Sequence, residues 1–173
     1  HDGAATLSQV SAVAGRMENM AGLNQPNVIV DFAHTPDGLE KALRACRDHL
    51  SRNGKLIAVF GCGGDRDKDK RPLMGQYAAQ LADSVIITND NSRTEDPSPI
   101  ADQVLSGVEA SERHRVSVEL DRKRAINLAI ARAHHEDIVL IAGKGHEKNQ
   151  EINGQFIRYD ERAFVRQLLE QAA

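Results

Sequence analysis

Tryptophan is absent from this 173-residue chain, and two tyrosines (Tyr77 and Tyr159) and four phenylalanines are its only aromatic rings. A platform on which nucleic-acid bases stack needs more rings than that. The formal net charge is −3, so no global positive field draws a polyanion either. Nucleic acid is therefore excluded as a partner. The two cysteines, Cys46 and Cys62, are too few for a disulfide framework. Cys46 falls at an apolar helical position and reads as core, while Cys62 lies between glycines, where a reactive thiol and a plain turn residue are both open. No apolar run approaches the about 20 residues of a membrane span, and no charged-then-apolar leader opens the chain. A cytoplasmic location without membrane insertion is the expectation. The seven histidines show no metal-ligand spacing, and His134 and His135 are adjacent and would face different directions on a helix. The chain starts at His1 rather than Met, which suits a piece of a longer protein.

What is present is ordinary in amount and telling in arrangement. Hydrophobic residues make up 40% and charged residues 27% of the sequence, enough for one domain with a real core. Residues 1–20 read as an interdomain linker and an incoming strand around Gly15–Met20, and residues 21–173 as one α/β domain. Four short apolar runs lead directly into polar, glycine-rich segments. Val28–Phe32 leads into Ala33-His34-Thr35-Pro36-Asp37, and Leu56–Phe60 into Gly61-Cys62-Gly63-Gly64-Asp65-Arg66-Asp67. Val85–Thr88 leads into Asn89-Asp90-Asn91-Ser92-Arg93, and Ile138–Ala142 into Gly143-Lys144-Gly145-His146-Glu147.

Helical patterns separate these runs. Thr35 caps a first helix with Pro36 at its first position, and Leu39, Ala42, Leu43, Cys46 and Leu50 form its apolar face. A second helix begins near Pro72 with Leu73, Tyr77, Ala78 and Leu81 inward. A third is capped by Ser98 and buries Ile100, Val104 and Val108. Val116–Glu119 is a short strand, and Asp121 caps a fourth helix through Ala125, Ile126, Ala129, Ile130 and Ala133. Asn153-Gly154 marks a tight hairpin, and a last helix buries Phe164, Leu168 and Leu169. Strands alternating with helices, without inside–outside alternation, predict a Rossmann-like α/β fold: a mostly parallel sheet with helices on both faces and a small C-terminal hairpin. All four polar loops then share the sheet edge where such folds bind ligands.

The loops carry mixed charge. Gly61–Arg71 combines glycines with basic residues, as an anion site does, but matches neither a Walker A motif nor a clean dinucleotide fingerprint, so a plain solvated turn stays open beside it. Arg93 can grip a carboxylate through two parallel hydrogen bonds. Asp90 can accept from an ammonium group, and Asn91 can serve either partner. That set suits an amino-acid zwitterion, with an ordinary Asx-turn as the plainer reading. His146 is a candidate base or a hydrated loop residue. No nucleophile elbow or Cys–His pattern is present.

Six segments in order resemble the C-terminal domain of the Mur ligases, in particular the members that add meso-diaminopimelate to UDP-N-acetylmuramoyl-L-alanyl-D-glutamate in peptidoglycan precursor synthesis. They are Gly15-Arg16-Met17-Glu18, Asp31–Pro36, Phe60–Asp67, Lys70–Gly75, Asp90–Arg93 and Ala142–Glu147. The resemblance implies the third domain of an ATP-dependent amide-forming ligase that works through an acyl phosphate. Its partners are the N-terminal and central domains of the same protein and three small substrates: ATP, diaminopimelate and the UDP-MurNAc-dipeptide. ATP and Mg²⁺ would be held mainly by the central domain, so the chain alone is expected to be inactive. The resemblance also places Arg16, Asp31 and His34 toward ATP. It places Arg66, Asp90, Asn91, Ser92, Arg93, Gly143 and Glu147 toward diaminopimelate. It implies binding and positioning here, and no covalent nucleophile.

One residue departs from the family's usual Asp-Asn-Pro-Arg motif: Ser92 stands in place of the proline. Loss of a fixed φ predicts a less rigid loop. Arg93 is kept, and it would repel the distal ammonium of lysine, which favours diaminopimelate. A ligase adding lysine or another amino acid, and a non-catalytic α/β metabolite-binding module, are the competing readings.

Overall fold

The computed structural model describes residues 15–171. The weak apolar periodicity at Leu7, Val10 and Val13, and most of the expected linker, lie outside that range. The elements run β1 (Glu18–Asn19), β2 (Asn27–Asp31), α1 (Pro36–His49), β3 (Leu56–Phe60), α2 (Lys70–Leu81), β4 (Ser84–Ile87) and α3 (Pro97–Ser106). They continue through β5 (Val116–Val118), α4 (Arg122–Arg132), β6 (Ile138–Ala142), β7 (Asn149–Ile152), β8 (Gln155–Arg158) and α5 (Glu161–Gln171). Six strands form one sheet in the order β1-β2-β6-β3-β4-β5, with only β1 antiparallel. β7 and β8 form the separate hairpin, whose Asn153 and Gly154 take positive φ as a type I′ turn requires.

Strand alternation sorts the core into two layers. Ile29, Leu56, Ala58, Phe60, Val85, Ile87 and Leu140 face α1, α2 and α3. Val28, Val30, Ile57, Val59, Ile86, Val139 and Ile141 face α4 and α5. Both faces are covered, so the strands are apolar throughout, as expected of a parallel sheet. Each fully buried Val, Ile or Leu contributes about 1.5–3 kcal/mol relative to exposure.

Three helices depart from the expected details. The second helix starts at Lys70 and turns Arg71, Met74, Gly75, Ala78 and Ala79 inward, while Leu73 is 45% exposed. The third is capped by Asp96, whose side chain accepts from Ser98 N, with Pro97 following it. The Asp-Pro pair comes two residues before the Ser-Pro pair, and its charge also complements the positive helix end. The last helix buries Glu161, Val165 and Leu169, leaving Phe164 and Leu168 half-buried. In the second and last helices the ionic contact of one buried side chain sets the rotation. Arg71 must face Glu95, and Glu161 must face Arg122. The neighbours at i+4 and i+8 then follow those residues inward.

Candidate functional site

The four loops that leave the C-terminal ends of β2, β3, β4 and β6 surround one cavity of about 440 Å³. The first loop contributes Phe32, His34 and Thr35, and the second Gly61, Gly63, Arg66, Asp67 and Lys70. Asp90, Asn91 and Arg93 come from the third, and Gly143 and Glu147 from the fourth. Three cations (Arg66, Lys70 and Arg93) and three carboxylates (Asp67, Asp90 and Glu147) therefore line one space.

On the first loop, Thr35 caps α1 by accepting from Gly38 N at 3.1 Å. His34 Nδ1 donates to the Phe32 carbonyl at 2.8 Å, and Lys70 Nζ donates to the His34 carbonyl at 2.9 Å. Asp31 stays out of the cavity. Its two carboxylate oxygens accept from Met17 N and Ala33 N, both at 2.8 Å, which fastens the incoming segment to the sheet edge. Arg16 is exposed, with its guanidinium 5.9 Å from the ring centroid of Phe32, which itself lines the cavity.

The second loop is laced to the third. Gly64 N donates to the Asn91 carbonyl at 2.8 Å. A Cβ on Gly64 would lie 1.9 Å from the Ser92 carbonyl oxygen, so only glycine allows this approach. Asp65 N donates to Glu95 at 2.7 Å, and the Asp65 carboxylate accepts from Thr94 N and Oγ1. Two amides of the glycine-rich loop are thus already occupied by protein acceptors, which weakens the anion-cradle reading. Arg71 lies wholly buried beneath, bonded to the Gly63 carbonyl, Glu95 and Gln103. Arg71 and the Asp65 amide hold the Glu95 carboxyl at about 2, well below the usual carboxylate range. Cys62 is core: burial pushes its thiol up to about 12, and its Sγ lies 3.5 Å from Met74 Sδ. The reactive-thiol reading is thereby set aside, since a protonated buried thiol is no nucleophile.

The third and fourth loops meet through Lys144. Fully buried, its ammonium donates to Asn91 Oδ1 at 2.8 Å and Glu147 Oε2 at 3.0 Å, with Asp90 Oδ1 at 3.7 Å. Asn91 Nδ2 donates to the same Glu147 oxygen at 3.2 Å. Gly143 has φ +120°, and a Cβ there would lie 2.4 Å from Asp90 Oδ2. Arg93 takes φ +53°, with its Nη1 donating to the Gly64 carbonyl at 2.8 Å and its Nε 3.5 Å from Glu151. Among the described residues its Nη2 meets no protein acceptor, which leaves that end of the fork for a ligand. A second cavity of about 460 Å³ opens on the hairpin side of Asn91, Arg93 and Glu147, against Lys148 and Phe156.

Ser92 is completely buried and does not line either cavity. The loop around it is tied to the hairpin by four hydrogen bonds. Arg93 N donates to the Glu151 carbonyl at 3.0 Å and Gly154 N to the Arg93 carbonyl at 3.2 Å. Glu151 N donates to Asn91 Oδ1 at 3.0 Å, and Gln150 Nε2 to the Asp90 carbonyl at 2.9 Å. The hairpin supplies the constraint that a proline ring would have imposed.

The cavity therefore gathers seven of the ten expected site residues: His34, Arg66, Asp90, Asn91, Arg93, Gly143 and Glu147. Arg16, Asp31 and Ser92 lie outside it. Sequence reasoning missed the buried Lys144 tie, the hairpin residues Gln150 and Glu151, and the buried Arg71 and Arg122. Among the described residues no group of three His, Cys, Asp or Glu side chains converges to hold a metal ion, and no helix is long and apolar enough to cross a membrane.

Residues 15–145 match the family model described as Mur ligase, glutamate ligase domain. The UDP-N-acetylmuramoyl-L-alanyl-D-glutamate–2,6-diaminopimelate ligase of Nitrosomonas europaea is 50% identical over 99% of this chain and 34% of its own length. The ligase of the same name from Coxiella burnetii is 51% identical over 90% of this chain and 31% of its own. A solved structure of such a ligase superposes with a TM-score of 0.85 at 43% identity, over 95% of this chain and 33% of that one. A folylpolyglutamate synthase/dihydrofolate synthase from Yersinia pestis shares the fold, with a TM-score of 0.60 at 20% identity over 78% of this chain and 29% of that one. The chain spans about a third of the length of the curated relatives it matches.

Proposed function

Because this chain belongs to the Mur ligase family through its glutamate ligase domain, we propose that it is the amino-acid-binding domain of an ATP-dependent ligase that adds meso-diaminopimelate to UDP-N-acetylmuramoyl-L-alanyl-D-glutamate. The observation that carries this reading is the cavity itself. Arg93 presents an unused guanidinium end in the same space as the Asp90 and Glu147 carboxylates. A carboxylate of the amino acid would pair with Arg93, and ammonium groups with Asp90 and Glu147. Arg66, Asn91 and Gly143 complete the walls, and Ser92 acts only through the backbone of its loop. Lysine lacks the distal carboxylate and would set an ammonium against Arg93, so the site selects against it.

The domain's contribution to rate is orientation. A zwitterion fixed at both charged ends holds its reacting amine in one place, which replaces a bimolecular encounter by a positioned one. His34 and Arg16 lie on the Phe32 side of the cavity, where they would meet ATP brought by the central domain. ATP supplies the activation of the acceptor carboxylate. Mg²⁺ would come with the nucleotide, held mainly by its phosphates and by the central domain.

Steady-state kinetics of the full-length ligase with diaminopimelate and lysine, alongside Arg93→Ala, tests the reading. Diaminopimelate should be used and lysine strongly disfavoured. Arg93→Ala should lower kcat/KM for diaminopimelate by about 10- to 100-fold, the effect of losing a hydrogen bond to a charged group. Equal use of both amino acids, an indifferent Arg93→Ala, or ATP turnover by the 173-residue chain alone would overturn it.

A further inference from the structure

Arg122 sits in the first turn of α4, just past the Asp121 cap, where the helix macrodipole disfavours a cation. It is nevertheless fully buried under the sheet edge, 2% exposed. Its Nη1 donates to the Asn89 carbonyl at 3.2 Å and its Nη2 to the Ala142 carbonyl at 2.9 Å. Asn89 immediately precedes Asp90, and Ala142 immediately precedes Gly143. These carbonyls are the last backbone acceptors before the two loops that carry the cavity's Asp90 and Glu147.

The two strands concerned are not neighbours. In the order β2-β6-β3-β4, β3 separates β6 from β4. No ladder hydrogen bond therefore joins the starts of these loops directly, and the guanidinium spans the gap across β3. Its remaining side is anchored by Glu161 on α5, through Nε and through Nη2 at 3.0 Å. Tyr159 Oη donates to Glu161 at 2.8 Å and completes the anchor. Burial works against the Arg122 charge, but Glu161 outweighs it and keeps the guanidinium protonated. Burial and Glu161 likewise raise the Tyr159 phenol, which stays a donor. The planar fork meets four oxygens at once, two carbonyls and both oxygens of a carboxylate, which exceeds the three donors that an ammonium carries on one atom.

We propose that Arg122 is a positioning residue that sets the spacing between the Asp90–Arg93 and Gly143–Glu147 loops, and so the grip on the amino-acid substrate, without touching that substrate. The proposal rests on the amino-acid-binding reading of the cavity. It predicts a change in the affinity for one substrate and not the other, because the His34 side of the cavity is outside the clamp.

The test uses the full-length ligase with Arg122→Lys and with the double variant Arg122→Met/Glu161→Gln. The double variant removes both buried charges together, so neither is left unpaired. Two readouts are taken: KM for diaminopimelate and for ATP, and amide hydrogen exchange of the segments around residues 88–93 and 142–147 without substrate. Expected are a rise in KM for diaminopimelate of roughly tenfold or more, a KM for ATP within about twofold of wild type, and faster exchange confined to the two segments. Unmoved exchange and KM in a folded variant overturn the proposal, as does an equal rise in both KM values. Faster exchange in the variants of an enzyme whose wild type ignores diaminopimelate would leave the clamp standing and overturn the substrate reading instead.

Discussion

Lys144 Nζ donates to Asn91 Oδ1 at 2.8 Å, and this one bond joins the loop after β6 to the loop after β4 from within the site wall. The same ammonium reaches Glu147, so the amide and the carboxylate expected to meet the amino acid are both held by a side chain that no solvent touches. Pre-set geometry of this kind spares a substrate the entropy of ordering the loops itself.

Lys144→Met should therefore affect both stability and binding. Asn91 Oδ1 and Glu147 Oε2 each lose their charged donor while keeping the Glu151 amide and Asn91 Nδ2, and losing hydrogen bonds to a charged group costs about 1.5–3 kcal/mol of folding free energy. Urea denaturation of the purified chain measures the first effect. The second appears in the full-length ligase as a raised KM for diaminopimelate. A variant with wild-type stability and KM would show that the two loops hold their places without the lysine.

Gly143→Ala places a methyl group 2.4 Å from Asp90 Oδ2 in a backbone at φ +120°. Strain at such a φ costs about 1–3 kcal/mol, before any movement of Asp90. Thermal melts should show a clear fall in Tm, and diaminopimelate use should fall with it because Asp90 must shift. An unchanged Tm would mean that the loop relaxes freely.

Glu95 gives the domain a defined acid sensitivity. Its folded-state value of about 2, set chiefly by Arg71, lies below its ordinary value of 4.5. In the window between them the unfolded chain binds more protons than the folded one, so stability falls as pH falls from about 4.5 toward 2. Glu95→Gln should be less stable than wild type at pH 6, with the gap closing across that window. Melting curves from pH 2 to pH 6 check the sign; a constant gap would show that Glu95 acts by packing alone.

Much of this was legible in the sequence. The apolar runs, the Thr35 and Asp121 caps and the Asn153-Gly154 turn follow local rules, and the structure has each of them. The convergence of four loops follows from parallel strands. What stayed hidden was ionic burial. Apolar periodicity points Leu73 and Phe164 inward, because it assigns no cost to leaving Glu95 or Arg122 without a partner. One signal was available. Lys70 and Arg71 open α2 and Arg122, Lys123 and Arg124 open α4, cations at the helix end that repels them. Such a placement asks for another reason, and that reason is a carboxylate partner: the half-buried Glu95 for Arg71 and the buried Glu161 for Arg122. The role of Gln150 and Glu151 has no comparable local cue, since it depends on where the hairpin folds back.

The place of β6 in the sheet also governs how the domain can assemble. Residues 138–142 insert between β2 and β3, which never pair with each other. A nascent chain that has emerged only as far as α4 can dock β3, β4 and β5, but β2 has no parallel neighbour to receive it. Two bare strand edges then wait on a segment made more than a hundred residues after β2, and exposed edges of this kind invite pairing with other chains. Closure of the sheet is a late, long-range event of the slow class, and it is the same event that brings Gly143, Lys144 and Glu147 to the other three loops.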